Sequence, residues 1–404
     1  FEIYFSEVFH NKGGFDVVIA NPPYVRVDDI DKKQRKEFKN IYHSAKGKYD
    51  LYYLFFEKAF NLINKTGCCV FISPNKFCAA DSALELRKLI FRKTHSAEII
   101  STSKIKIFEA AANYPVISIL SKNNLAMPCF LVRQVKDLEL LNRKEQSKHF
   151  TTSPKSFLNF PSNIIPININ QISFDFVEKL YSNSFLLSDI LSISEGLRIP
   201  SKYESEEKQD HEIVKQYQFS RYSQITPGTF ISSSNLKKVI SDNAQRSIKI
   251  FMEKIVIAED ALSISATIDL QHRIPQGGVY FAVSKNPHIS LKYILALINS
   301  KLFSYVYEML YSGMHMGGGY LRYRTKFLEA LPLSAKAKNV DTVKQKELVV
   351  LVDKFLSISK DENYLDNPTK QAKVKELEKQ IDQMVYKLYE LTDEEIGIIE
   401  NSEN

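Results

Sequence analysis

Hydrophobic and polar positions over the first 122 residues switch between two periods. Residues 15–20, "FDVVIA", place Val17, Val18, Ile19 and Ala20 in an unbroken apolar run, which predicts a short, fully buried, parallel strand. Pro22 and Pro23 stop it, because proline lacks an N–H and fixes φ. Residues 49–63, "YDLYYLFFEKAFNLI", carry apolar positions at helical spacing up to the break at Gly67. A second buried strand is predicted at 68–73, "CCVFIS". An amphipathic helix follows at 81–93, with acid in its first turn and base in its last. Further strands are expected at 97–102 and 115–122. The βαβα order predicts a mostly parallel sheet.

The pattern then changes. Residues 123–185 are polar, irregular and dotted with proline, and read as a linker. Short β-branched runs at 254–260 ("KIVIAED") and 278–283 ("GVYFAV") mark a second domain over 186–335. A single helix is expected at 290–310, followed by a glycine-rich stretch, "GMHMGGGYLRYRTKFLEALPL", at 313–333. The tail is helical. Val374, Leu377, Ile381, Met384, Leu388 and Leu391 form a narrow stripe suited to packing within the chain, and Thr392 with Glu395 reads as a capping box.

Composition narrows the class. The 404 residues suit two or three domains, and 44% apolar content is enough for real cores. No apolar run reaches the roughly 18 residues of a membrane span, and Glu2, Ser6 and Glu7 rule out a signal peptide reading. A chain starting at Phe1 is expected to be a fragment or a processed product. Cys68, Cys69, Cys78 and Cys129 have neither zinc spacing nor disulfide density, which points to a reducing cytoplasm. The net charge of +7 is uneven: from Gln371 onward 4 Lys face 9 acidic residues, leaving residues 1–370 at +12. A basic body suits a polyanion such as nucleic acid, although many basic proteins bind none.

The candidate chemistry lies where the first strand stops. In open α/β sheets ligands bind beyond the carboxyl ends of strands. There the sequence offers Asn21, Pro22, Pro23 and Tyr24. An exocyclic amino group on an adenine ring is a poor nucleophile, because its lone pair is delocalised. The Asn21 side-chain carbonyl and the Pro22 backbone carbonyl can accept its two hydrogens, which draws the nitrogen toward tetrahedral geometry. Tyr24 offers a ring for the base to stack on, a contact of about 1–3 kcal/mol in nucleic-acid systems. On a rigid turn much of the orientation entropy is already spent.

At these residues the chain resembles the amino-group methyltransferases that use S-adenosylmethionine. "GKYDLYYLFFEKAFNLINKTGCCVFISPNKF" (47–77) and "KIFEAAANYPVISIL" (106–120) resemble segments of TaqI-type adenine-specific DNA methyltransferases, including the methylase part of type IIG restriction–modification enzymes. The "EKIVIAED" and "GGGYLRYRTKFLEALPL" stretches resemble their target-recognition domain, and "LEKQIDQMVYKLYELTDEEIGIIE" their helical close. The resemblance implies an α/β fold: a partial Rossmann-like methyltransferase sheet (1–125), a linker (126–185), an α+β target-recognition domain (186–335) and a helical tail (336–404). It implies an enzyme transferring methyl from S-adenosylmethionine to the 6-amino group of an adenine flipped out of duplex DNA. Within the catalytic motif Asn21, Pro22, Pro23 and Tyr24, Asn21 and Pro22 would hold that group, and Tyr24 and Phe108 would sandwich the flipped base. Asp50, Leu51 and Phe55 would lie near the cofactor, although packing, or helix capping for Asp50, explains them equally well. No metal is expected, and the setting implied is the bacterial cytoplasm, at the nucleoid.

One expected part is missing. None of the 13 glycines forms the strand–loop–helix that would hold the methionine part of the cofactor: Gly13-Gly14 precedes a strand, Gly317 to Gly319 follow a helix, and Gly277-Gly278 lacks the context. The "FDVVIA" strand would then present an exposed apolar edge. An N-terminal cofactor-binding half, upstream or on a separate polypeptide, is expected as a partner beside double-stranded DNA.

Other readings stand beside this one. "NPPY" can be a plain strand-ending turn, and Phe108 a core residue. Arg322, Arg324 and Lys326 alternate with Leu321, Tyr323 and Thr325, which would put three cations on one strand face for phosphate contact; a solvated turn is the plainer alternative. His315 and the other histidines show no metal spacing. A non-catalytic DNA-specificity module or truncated remnant would also lack the glycine loop. Protein-glutamine and ribosomal-RNA methyltransferases can share "NPPY", but typically end soon after their sheet, whereas a long second half follows here. No nuclease motif stands out.

Overall fold

A computed structural model describes all residues except 1, 106, 108–114, 124–126, 144–145, 183, 227, 241–247, 313–319, 362–363, 365–366 and 403–404. The chain divides into two compact units: Phe1–Ser182 with Met309–Met314, and Asn183–Glu308 with His315–Asn404.

The first unit is built on a six-stranded sheet. Helix α1 (Ser6–Lys12) leads into β1 (Phe15–Ala20); α2 (Lys32–Ile41) and α3 (Tyr52–Leu62) precede β2 (Ile63–Pro74). Then come α4 (Leu84–Lys93), β3 (Ser96–Ser101), β4 (Pro115–Ser121), β5 (Cys129–Gln134), β6 (Lys148–Thr152) and α5 (Gln171–Ser182). The spatial order is β1-β2-β4-β3-β5-β6. β1 runs parallel to β2, and β3 parallel to β5. β4 is antiparallel to both β2 and β3, and β6 is antiparallel to β5, so the sheet is mixed rather than mostly parallel. Apolar runs fix the strands, but periodicity carries no direction.

The stretch read as a linker contributes β5, β6 and α5 to this unit. Its aromatic residues form a core that polar neighbours hide in the sequence: Phe150 stacks on Phe174 at 4.2 Å, and Phe157 on Phe91 at 5.2 Å.

Gly14 and Gly67 let β1 lie against β2. A Cβ on Gly67 would sit 2.8 Å from the Phe15 carbonyl oxygen, and one on Gly14 2.5 Å from that of Leu62. β1 is nevertheless the edge of the sheet, and Val17 and Ile19 are 50% and 76% exposed. The fully buried strand expected from "FDVVIA" is therefore half uncovered in this chain.

In the second unit a four-stranded sheet carries Lys254–Ala258 at its centre, between Ala266–Asp269 and Val279–Ser284. The expected helix at 290–310 is two helices, Leu291–Ile298 and Lys301–Tyr311. Asn299 breaks it: its side chain accepts from the Ala266 amide and donates to the Ala266 carbonyl, 3.0 and 2.9 Å away. Asp382, from the tail, accepts from the Lys301 amide at 2.9 Å and caps the second helix. The tail forms helices Thr342–Ser359, Pro368–Leu388 and Asp393–Glu400, the last opened by the Thr392–Glu395 capping box. Val374, Leu377, Ile381 and Leu388 are buried.

Candidate active site

β1 delivers Asn21–Tyr24 at its carboxyl end. Pro22 is buried, while Asn21 and Pro23 are exposed. Tyr24 is half-buried and is held at two points. Its hydroxyl donates to the Ile72 carbonyl at 3.4 Å, and its ring meets Tyr52 edge-on, with centroids 6.3 Å apart. Burial pushes the Tyr24 phenol pKa up.

The chain then zips to the segment before α3. Leu51 donates to the Val25 carbonyl at 2.8 Å, and Val27 donates to that of Tyr49 at 3.0 Å, with Arg26 opposite Asp50 in an antiparallel bridge. The structure thus ties the turn directly to Asp50 and Leu51. Asp50 is half-buried; burial raises its carboxyl pKa, opposed by the charges of Lys76 and Arg26. Phe55 lies one turn further along α3 and is 40% exposed. Phe108 lies outside the described residues.

Tyr52, Tyr53, Phe56 and Phe60 of α3 are buried. Two charged residues support this region without having been singled out in the sequence. Glu57 is buried and accepts from the His43 amide (3.0 Å), the Ser44 amide (2.8 Å) and the Ser44 hydroxyl (2.7 Å), fixing the loop between α2 and α3. Arg87 is fully buried and donates to the carbonyls of Phe77 (2.6 Å), Ala80 (2.8 Å) and Ser162 (2.8 and 3.1 Å). The available signal was a charge at an apolar position of a helical repeat: Glu57 falls four residues after Tyr53, and Arg87 among leucines.

One face of the sheet carries an under-covered apolar band. Cross-strand partners share a face. Ile19 pairs with Val70 and Val70 with Ile119, while Ile72 pairs with Ile117. The last four are only partly buried, beside the exposed Ile19. Cys69, Phe71 and Ser73, on the other face of β2, are buried.

The three cations of the second unit do not share a strand face. The strand is two residues long, Leu321–Arg322, and a short helix begins at Thr325, so Lys326 is helical. Arg322 binds Asp260 through two nitrogens, at 2.9 and 3.0 Å, and this pairing raises the Arg322 pKa. Arg324 and Lys326 are exposed. His315 and Gly317 to Gly319 lie outside the described residues. Among the described residues no group of three or more His, Cys, Asp or Glu is placed to hold a metal ion, and no helix is long and apolar enough to cross a membrane.

Residues 1–108 match the Eco57I restriction-modification methylase family, and residues 211–333 match the TaqI-like C-terminal specificity domain. The chain is 27% identical over 184 residues to the type II restriction enzyme and methyltransferase RM.Eco57I of Escherichia coli, covering 45% of this chain and 18% of that protein. It is 32% identical over 115 residues to the type II methyltransferase M.BstVI of Geobacillus stearothermophilus, covering 27% and 20%. These alignments reach only about a fifth of either relative. Among solved structures, that of the type IIL restriction-modification enzyme MmeI in complex with DNA shares the fold: TM-score 0.58 at 14% identity, over 95% of this chain and 56% of that one.

Proposed function

We propose that this chain, which matches the Eco57I restriction-modification methylase family over residues 1–108 and the TaqI-like C-terminal specificity domain over 211–333, is the catalytic-turn and target-recognition portion of an adenine-specific DNA methyltransferase. One observation carries the reading. At the end of a parallel strand the chain carries exposed Asn21, buried Pro22 and a Tyr24 held by the Ile72 carbonyl and the edge of the Tyr52 ring.

In this reading the target adenine leaves the duplex and stacks on Tyr24. Asn21 Oδ1 and the Pro22 carbonyl oxygen accept the two hydrogens of its 6-amino group, so the nitrogen lone pair is free to attack. Once the new N–C bond forms, a proton leaves the nitrogen for solvent. S-adenosylmethionine would supply the electrophilic methyl, its sulfur keeping the pair of the broken S–CH3 bond and departing as S-adenosylhomocysteine. Asp50, Leu51 and Phe55 fit one wall of its site: a half-buried carboxylate and two apolar side chains beside the turn. Among the described residues no strand is followed by a glycine-rich loop and a helix, so the remaining walls belong to an N-terminal cofactor-binding half. The exposed edge of β1 and the partly bare Ile19, Val70, Ile72, Ile117 and Ile119 band suit that half as their cover. The second unit would read duplex sequence, with the exposed Arg324 better placed for phosphate than the Asp260-bound Arg322.

A non-catalytic DNA-specificity module is the second reading, favoured by the same lack of a glycine loop. Labelled methyl transfer to mixed-sequence duplex DNA separates the two, with the chain assayed alone and with a cofactor-binding half supplied in trans. Label in N6-methyladenine only when the half is supplied supports the proposal. Label with the chain alone overturns the need for a partner. No label in either format, with DNA binding retained, leaves the specificity module as the function.

A further inference from the structure

Helix α2 and the loop after it are unlike the rest of the first unit. Between residues 32 and 48 stand Lys32, Lys33, Arg35, Lys36, Lys39, Lys46 and Lys48, against one acid, Glu37. α2 has no buried residue. Its apolar side is narrow and only half covered, at Phe38, so packing alone gives little reason for so many cations on the rest of it. Lys32, Lys36 and Lys39 are spaced i, i+4 and i+7, and so form one face; Phe38 and Ile41 lie on the opposite side. Among the described residues Lys32, Lys33, Lys36 and Lys39 form no ion pair. Lys46 and Lys48 make only loose ones, 3.6 Å to Glu85 and 3.6 Å to Asp28.

The helix that carries these lysines is held in place. Asp31 caps α2 by accepting from the Lys33 amide at 2.8 Å. Arg35 donates to the carbonyls of Ile30 (2.7 Å) and Asp28 (2.8 Å), a few residues after Tyr24. At the other end, the buried Glu57 carboxylate grips His43 and Ser44. A cationic face on an anchored helix therefore follows the Asn21–Tyr24 turn in the chain.

We propose that Lys32, Lys36 and Lys39, with Lys33 on the flank of the same helix, contact phosphates and hold the backbone of duplex DNA beside the flipped base. The inference rests on the methyltransferase reading above and adds to it a DNA contact made by the catalytic unit itself, separate from the specificity domain. Lysines on a helix face position the backbone without reading sequence. Each phosphate neutralised by such a lysine adds about 0.9 to the slope of log affinity against log salt.

The test is the salt dependence of duplex binding by the whole chain, read by fluorescence anisotropy. The variant is the quadruple Lys32→Gln, Lys33→Gln, Lys36→Gln, Lys39→Gln. Glutamine keeps helix propensity close to that of lysine, and no buried side chain changes. The control neutralises Lys346, Lys354, Lys373 and Lys379 on the tail helices in the same way. The quadruple variant is expected to lose roughly 2–4 of the slope, uniformly across DNA sequences, while the control keeps it. An unchanged slope in the quadruple variant overturns the proposal and leaves the face to an acidic protein surface. An equal loss in the control overturns it too, because general charge then explains the effect. No DNA binding by the wild-type chain overturns the methyltransferase reading itself, and this proposal with it.

Discussion

The Leu51 amide donates to the Val25 carbonyl across 2.8 Å, and through that bond the residue after the Asn21–Tyr24 turn is fastened to the residue that opens α3. The order of α3 is thereby passed to the turn. Tyr24, Val25 and Val27 are all held by groups at or next to this helix, or by β2. The chain just after Asn21–Pro23 is thus held by contacts within the first unit.

Glu57 is the point at which this arrangement is most easily broken. Glu57→Ala leaves the buried Ser44 amide without its acceptor and the Ser44 hydroxyl with only the Tyr53 carbonyl, 3.5 Å away. Each such loss costs about 1–3 kcal/mol, so a total near 3 kcal/mol is expected in urea unfolding. Glu57→Gln is expected to cost less than Glu57→Ala, because it keeps one acceptor.

Arg87 makes a different kind of anchor: a guanidinium satisfied by carbonyls. Burial pushes its pKa down, and no other charged group could span the same three oxygens. Arg87→Lys is expected to destabilise by about 2 kcal/mol, and Arg87→Met by more, measured by thermal or urea unfolding.

Asp382 sets a pH dependence. Burial lifts its carboxyl from 3.8 to about 6, against the pull of the Lys301 amide and the charges of Arg221 and Lys301; Glu400 adds to the rise. The folded chain thus holds a proton that the unfolded chain releases. The associated stability is fully present below about pH 4 and is lost as pH rises through 6. Asp382→Asn keeps an acceptor for the Lys301 amide and removes this titration. The stability difference between the two proteins should shift by about 2–3 kcal/mol between pH 4 and 7.5, in favour of the variant at the higher pH.

In the second unit, Arg322 and Asp260 behave as a pair. Both are partly exposed, so their coupling in a double-mutant cycle should be near 1 kcal/mol. Arg324→Ala is expected to weaken duplex binding more than Arg322→Ala, because the Arg322 charge is already matched. Anisotropy at one salt concentration distinguishes the two variants.

Much of this was legible in the sequence where one apolar period ran unbroken. The strands at β1, β2, β3 and β4 and the helices at α3 and α4 all follow from such runs. Strand direction did not follow, because an alternation of side chains reads the same either way along β4. The linker reading failed on Phe150, Phe157 and Phe174, whose core is assembled from positions far apart in the chain. The break at Asn299 was hidden because its cause is Ala266, on a distant strand. Around the candidate site, Asn21–Tyr24 announced themselves by residue type. Glu57 and Arg87 act through backbone groups, and residue type alone does not reveal that.

The most direct test of the central claim compares wild type with Asn21→Ala, each given the same cofactor-binding half and labelled S-adenosylmethionine. Nucleoside digestion locates the label, and anisotropy reports DNA affinity. Label in N6-methyladenine is expected for wild type and none for Asn21→Ala, with duplex affinity within about twofold. Label on another base, or transfer by Asn21→Ala at the wild-type rate, would contradict the claim.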